Sequence, residues 1–287
     1  VPFVALFALI ISVLHSGITK YSFTSKKHQM QKLMFLLCLC FLLLDHKAQA
    51  HRRNTTYTAD LDTTLQNIEK KIYRSFVVST QETNLSTLLA QQKRLEKAVN
   101  SKTQFAEYWL AYSYYYKSVY HLQQDDKKNA EISIKEGIQI LDQKNSKNAE
   151  DLSLMAMLQS FSIQFTSGMG AGIISGRAKK NVQSALEMDP QNLRAHLVAG
   201  QLDFYTPAIY GGGKKAEEYF KKAISLPDQK VKNNYLPSWG KSTAYTFLIH
   251  HYLDKKNMDQ AAIYHKEATA LYPNDHQLAE LGKKIKP

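Results

Sequence analysis

Gly211-Gly212-Gly213, followed by Lys214-Lys215, stands just ahead of an amphipathic segment. Free amides at a helix N-terminus hold anions, so one chemistry open to this stretch is a phosphate cradle. A nucleotide-binding loop needs Gly-Lys-Ser/Thr after the glycines and a strand before them. Here Lys215 is followed by Ala216, and the preceding residues read as helix. The expected role of Pro207, Gly211, Gly212 and Gly213 is therefore a tight structural turn that lets two helices approach. Gly168-Met169-Gly170-Ala171-Gly172, with Gly176 downstream, has dinucleotide-loop composition at the wrong spacing, again after a helix. It is expected to be a helix–helix connection. His250, His251 and His265 have the ring nitrogens of a metal site, but adjacent histidines point to different helix faces. No His-Glu-x-x-His occurs, and both cysteines, Cys38 and Cys40, lie inside an apolar run. Neither a metal nor a cofactor is expected. No nucleophile-elbow motif is present, so no catalytic residue is assigned and the chain is not expected to be an enzyme.

Aromatic residues offer the other chemistry. Tyr108, Trp109, Tyr112, Tyr114, Tyr115, Tyr116 and Tyr120 crowd one segment. On a helix, Trp109, Tyr112, Tyr116 and Tyr120 share one face that can be core, while Tyr108 and Tyr115 lie off it. Tyrosine combines apolar area with a polar tip, which suits a binding groove. Repeat cores also use bulky first-helix residues, so packing and binding both fit. Tyr205 and Tyr210 flank the glycine turn. In Pro237-Ser238-Trp239-Gly240, Ser238 reads as a helix cap with Trp239 in the first turn, lying across a joint near Tyr210. The candidate binding set is Tyr108, Tyr112, Tyr115, Tyr205, Tyr210 and Trp239. Trp239 is read first as a packing wedge and second as the wall of a ligand site.

Helices must position these residues. Leu61, Leu65, Ile68, Ile72 and Phe76 recur at steps of three or four, and strand signals are scarce. Beyond Phe105 one pattern recurs. Tyr245, Leu248 and Tyr252 precede Ala261, His265 and Ala268, with Pro273 at the end. Gly200 precedes Ala216, Phe220 and Ala223, with Pro227 at the end. Ala178, Val182 and Ala185 precede Pro190, and a weaker unit opens at Phe105 and uses Ala130, Ile134 and Gly137. Small residues on the second helix let paired helices close up, and each proline forbids continuation. Residues 104–287 thus resemble the tetratricopeptide repeat superfamily. The resemblance implies an all-α right-handed solenoid of antiparallel helix pairs with a C-terminal capping helix. The turn Tyr205 to Gly213 is also similar to turns in the repeat-containing partner subunit of periplasmic solute uptake systems.

The remaining organisation concerns export and charge. Residues 30–50 read as a signal peptide, with Lys32, the apolar run Leu33 to Leu44, and Ala48-Gln49-Ala50 preceding a mature start at His51. Residues 1–29 are expected to be an over-extended N-terminus, and residues 51–103 N-terminal helices. No stable membrane span is expected after cleavage, and the location implied is periplasmic or secreted. The formal charge is +12, with lysines dispersed and no arginine-rich block, so nucleic acid is not an expected partner. The functional expectation is a scaffold for a protein or peptide partner. The alternative is an accessory of an uptake system that holds a small molecule between helices.

Overall fold

The structure, a computed structural model, describes residues 63–230 and 232–285. All of them belong to one compact unit. The signal peptide, the cleavage site at His51 and the segment before them lie outside the described residues. Among the described residues there are helices and turns and no strand.

A short 3-10 turn, Thr63–Leu65, leads into α1, Ile68–Gln81, and α2, Ser86–Asn100. Four further pairs follow. They are α3 with α4, Ala106–Gln123 and Lys127–Asp142; α5 with α6, Ala149–Ser162 and Gly168–Met188; α7 with α8, Leu193–Tyr205 and Ala216–Ser225; and α9 with α10, Lys241–Asp254 and Met258–Leu271. Helix α11, His276–Ile285, covers the last pair with Leu278 and Leu281, both buried. Each first helix packs on the first helix of the next pair, while second helices touch the next first helix and make no comparable contact with one another. The first helices therefore line the inner face of the array.

Local sequence explains the boundaries. Asp126, Asn192 and Asn257 each accept the amide three residues on, and Asn148 with Asp151 forms a capping box at the head of α5. Pro190, Pro227 and Pro273 each stand two residues beyond the end of α6, α8 and α10. Lacking an N–H and clashing with the preceding turn, proline fixes those ends. The small residues do what their spacing implies: Ala130, Ala178, Ala185, Ala216, Ala223, Ala261 and Ala268 are all fully buried between helices. The closest approach is at Gly200 of α7, where a Cβ would stand 2.4 Å from the Phe220 ring of α8.

One expectation fails. Gly168 to Gly172 do not connect helices but form the first turns of α6, with Gly176 a turn further on. A Cβ at Gly172 or Gly176 would meet open space, so no close packing requires glycine there. The helix persists because its C-terminal half is anchored by Ala178, Val182 and Ala185.

Candidate functional site

The inner face has two edges, one at the N-terminal ends of the first helices and one at their C-terminal ends. Across the first edge runs the irregular strap between α8 and α9, residues 226–230 and 232–240. It is held by groups far away in sequence. The Asn67 amide donates to the Asn234 carbonyl at 3.1 Å. The Ser238 amide donates to a Glu69 oxygen at 2.6 Å. Trp109 Nε1 donates to the Tyr235 carbonyl at 2.8 Å, and Trp239 Nε1 to the Tyr108 hydroxyl at 2.8 Å.

Arg194, 4% exposed in the first turn of α7, is the hub of this edge. Its guanidinium donates to both oxygens of Glu150 at the head of α5, and to the carbonyls of Asp228 and Trp239. It also lies 5.9 Å from the Trp239 ring centroid. Burial opposes the arginine's charge, but the Glu150 carboxylate outweighs it and the Arg194 pKa is raised. Glu69 shows the opposite balance: burial pushes its pKa up despite the Ser238 bonds. No local motif announces this hub, because Arg194 and Glu150 are 44 residues apart.

The strap decides the fate of three candidates. Tyr108, expected off the core face, is 1% exposed because the strap covers it. Tyr112 is also buried, stacked on Trp239 with centroids 5.6 Å apart. Trp239 is not in a helix. Ser238 is engaged by Glu69, Gly240 at φ 114° turns the chain, and α9 starts only at Lys241. Trp239 packs against both of the two largest hydrophobic clusters, as a wedge does. It lies at the head of α7, whereas Tyr210 lies beyond its tail. The 13 residues of that helix separate the two by about 20 Å. The structure does not bring Trp239 and Tyr210 together.

The opposite edge is aromatic and open. Leading toward it from the middle of α1 and α3, Tyr73, Phe76, Tyr116, Tyr115, Phe161 and Phe165 form a continuous chain of ring contacts, with centroids 4.9–6.4 Å apart between successive rings. Burial, and then Tyr205 at the tail of α7, push up the Tyr115 phenol. There Phe204, Tyr205 and Phe247 meet edge to face at 5.3–5.8 Å and wall a cavity of about 460 Å³. His250, Asp254, His276 and Lys284 place polar groups on its rim and floor. Burial, aided by the Lys284 cation, lowers the His250 pKa, which keeps its imidazole neutral at pH 7. Beside the cavity Tyr205, Ile209 and Tyr210 stand 67%, 86% and 77% exposed.

The glycine turn that carries this lip is built for packing. The Asp203 carboxylate accepts from the amides of Lys215 and Ala216, each at 2.8 Å, so the head of α8 already holds an internal anion. Gly211 and Gly213 have φ of 84° and 77°. A Cβ on Gly212 would lie 1.8 Å from the Thr206 carbonyl oxygen. Gly212→Ala is therefore expected to cost about 1–3 kcal/mol, because backbone rather than a flexible side chain must move. Calorimetry checks this; an unchanged melting temperature together with lost phosphate binding would restore the cradle reading.

The histidines do not converge. His250 faces the cavity, His251 is buried 3.4 Å from Glu217, and His265 pairs with the Leu278 carbonyl at 2.8 Å. Among the described residues no group of three or more His, Cys, Asp or Glu is placed to hold a metal ion. Among them, too, no helix is long and apolar enough to cross a membrane.

No protein-family model matches the chain, and no curated protein matches it. Among solved structures it is similar to a thermophilic tetratricopeptide-repeat protein from Thermus thermophilus, with TM-score 0.49 and 18% identity over 75% of this chain and 98% of that one. It is also similar to the haemophore HusA from Porphyromonas gingivalis, with TM-score 0.48 and 20% identity over 65% of this chain and 92% of that one. A tetratricopeptide repeat protein from Parabacteroides merdae follows at TM-score 0.35 and 16% identity, covering 77% of this chain and 72% of that one. The architecture rests on this chain's own helices: five pairs among the described residues, closed up on buried alanines and stopped by prolines at three unit ends, with first helices inside. The fold is a tetratricopeptide-like array of antiparallel helix pairs.

Proposed function

We propose that this protein is a non-catalytic scaffold, exported from the cytoplasm, that holds a partner polypeptide at the C-terminal edge of its inner face. The exposed lip of Tyr205, Ile209 and Tyr210 beside the aromatic cavity carries this reading. Three large apolar side chains left exposed within six residues of chain favour an interaction surface. A cavity walled by Phe204, Tyr205 and Phe247 accepts one aromatic or branched side chain as an anchor, and the rim charges of both signs suit a polar peptide backbone around it. Of the candidate residues, Tyr205 and Tyr210 belong to this surface, Tyr115 lies in the middle of α3, and Tyr108, Tyr112 and Trp239 lie at the strap edge.

The test is a triple substitution, Tyr205→Ser, Ile209→Ser and Tyr210→Ser, measured against peptides selected by display on the wild-type protein. Selected peptides are expected to share an aromatic or branched anchor and to lose roughly 10-fold or more in affinity, as loss of an anchor does. The melting temperature should stay within about 2 °C, because these side chains are exposed. Unchanged affinity would overturn the proposal. Export is tested separately by the mass of the secreted chain, which should begin at His51.

A second reading has its own observation. The cavity is about 460 Å³, within the range of small-molecule sites, with three aromatic walls and a neutral imidazole at His250. A small aromatic molecule would lie against one of these rings with a polar group toward His250. Titration with a small aromatic probe, anilinonaphthalene sulfonate, should then give saturable binding that Phe247→Ala and His250→Ala each weaken. Binding indifferent to both substitutions would exclude this reading and leave the first.

A further inference from the structure

We propose that the strap between α8 and α9 is a clasp, which ties the first helix pair to the fourth and sets the opening of the inner face. A helical repeat array is held mainly by contacts between neighbouring units, so its curvature is soft. This array carries a contact of another order. Ser238 meets Glu69 across 169 residues, and Trp239 meets Tyr108 across 131. Through the strap, α1 and α3 are joined to the head of α7, past the intervening pair, by hydrogen bonds rather than by stacked helices.

The clasp has the chemistry of a bound peptide. The strap has no helix of its own, so its carbonyls are satisfied from outside: Asp228 and Trp239 by Arg194, Tyr235 by Trp109, Asn234 by the Asn67 amide. An irregular segment with buried backbone needs such partners. Gln229 braces the strap internally, its side chain bonding Asn233 and Leu236. Most of the donors that hold it stand at the heads of first helices, at positions 67, 109 and 194. The strap also seats Tyr235 and Trp239 against the large apolar clusters of the helix pairs. Opening withdraws Trp239 from Tyr112 and Arg194, and frees the inner face between α1 and α7 to widen. The inference is independent of what the open edge binds, and its test needs no ligand.

The chain has two tryptophans, which makes the clasp observable. One bonds the strap and the other belongs to it, so emission of the unaltered full chain reports the strap. Hydrogen exchange of the strap and small-angle scattering are measured beside it, with and without Glu69→Ala. In the parent, the Ser238 amide is expected to exchange slowly and the two tryptophans to emit as shielded rings. In Glu69→Ala, that amide and the amides of α1 should exchange roughly 10-fold faster or more, as loss of a bond to a charged acceptor implies. Emission should shift to the red and the radius of gyration should rise, while α8 to α10 keep their protection and the helical circular dichroism is unchanged. Strap amides at unprotected rates in the parent, or a variant with strap, α1 and radius all unchanged, would overturn the clasp. If Glu69→Ala loses helix globally, Glu69→Gln, which keeps an acceptor, should give the same pattern at smaller amplitude. Global loss there as well would show a structural joint and not a clasp.

Discussion

Arg194→Ala is expected to destabilise the protein by about 3–5 kcal/mol, the cost of breaking one side of a buried ion pair. The substitution removes a guanidinium that is 4% exposed. It leaves Glu150, mostly covered by the protein, with Asn192 Nδ2 as its remaining protein donor at 2.8 Å. It also strips donors from the carbonyls of Asp228 and Trp239. Unsatisfied buried acceptors cost more than the bonds they once made were worth. Lysine should not rescue the variant, because an ammonium cannot span a carboxylate and two carbonyls in the fixed fork that Arg194 uses. Urea denaturation of both variants decides the matter. An unfolding free energy within about 0.5 kcal/mol of wild type, the range of an ordinary surface substitution, would show that the hub is ornamental.

Trp239→Ala is expected to lose about 3 kcal/mol, the lower end for a large aromatic side chain because Trp239 is half-buried. Three interactions go with the ring: the stack on Tyr112, the bond to the Tyr108 hydroxyl, and the guanidinium of Arg194 against its face. The Tyr108 hydroxyl then stays buried without its donor. Since Arg194 and Trp239 touch, the double variant should be less destabilised than the two losses added together. Binding at the Tyr205 edge should change little, because the two edges are separated by the length of α7. An unchanged urea midpoint with partner binding abolished would move Trp239 from the wedge to the binding surface.

Helix pairing was legible in the sequence because it depends on local spacing. Ala216, Phe220 and Ala223 recur every three or four residues, so one face of α8 is apolar whatever it meets, and Pro227 stops the helix without help from elsewhere. The same holds for Ala261, Ala268 and Pro273, and for the packing role of Gly212. Asp203 shows why the anion cradle was harder to judge: the group that fills it comes from the preceding helix.

The site was legible only in part. Tyr205 and Tyr210 flank a turn that their neighbours specify, and they are exposed as loop residues usually are. Tyr108 and Trp239 were misplaced because helical periodicity gives the face of a residue and says nothing about what later covers it. The strap reads as a polar linker, rich in lysine and asparagine, and its composition gives no sign that it is held. Its order comes from Glu69, Trp109 and Arg194, which belong to three different units. Periodicity within a helix is a property of neighbouring residues, so the chain alone determines the pairs. Closure of the inner face by the strap, and the meeting of Phe204, Tyr205 and Phe247 around one cavity, depend on where whole units stack, and only the tertiary structure decides that.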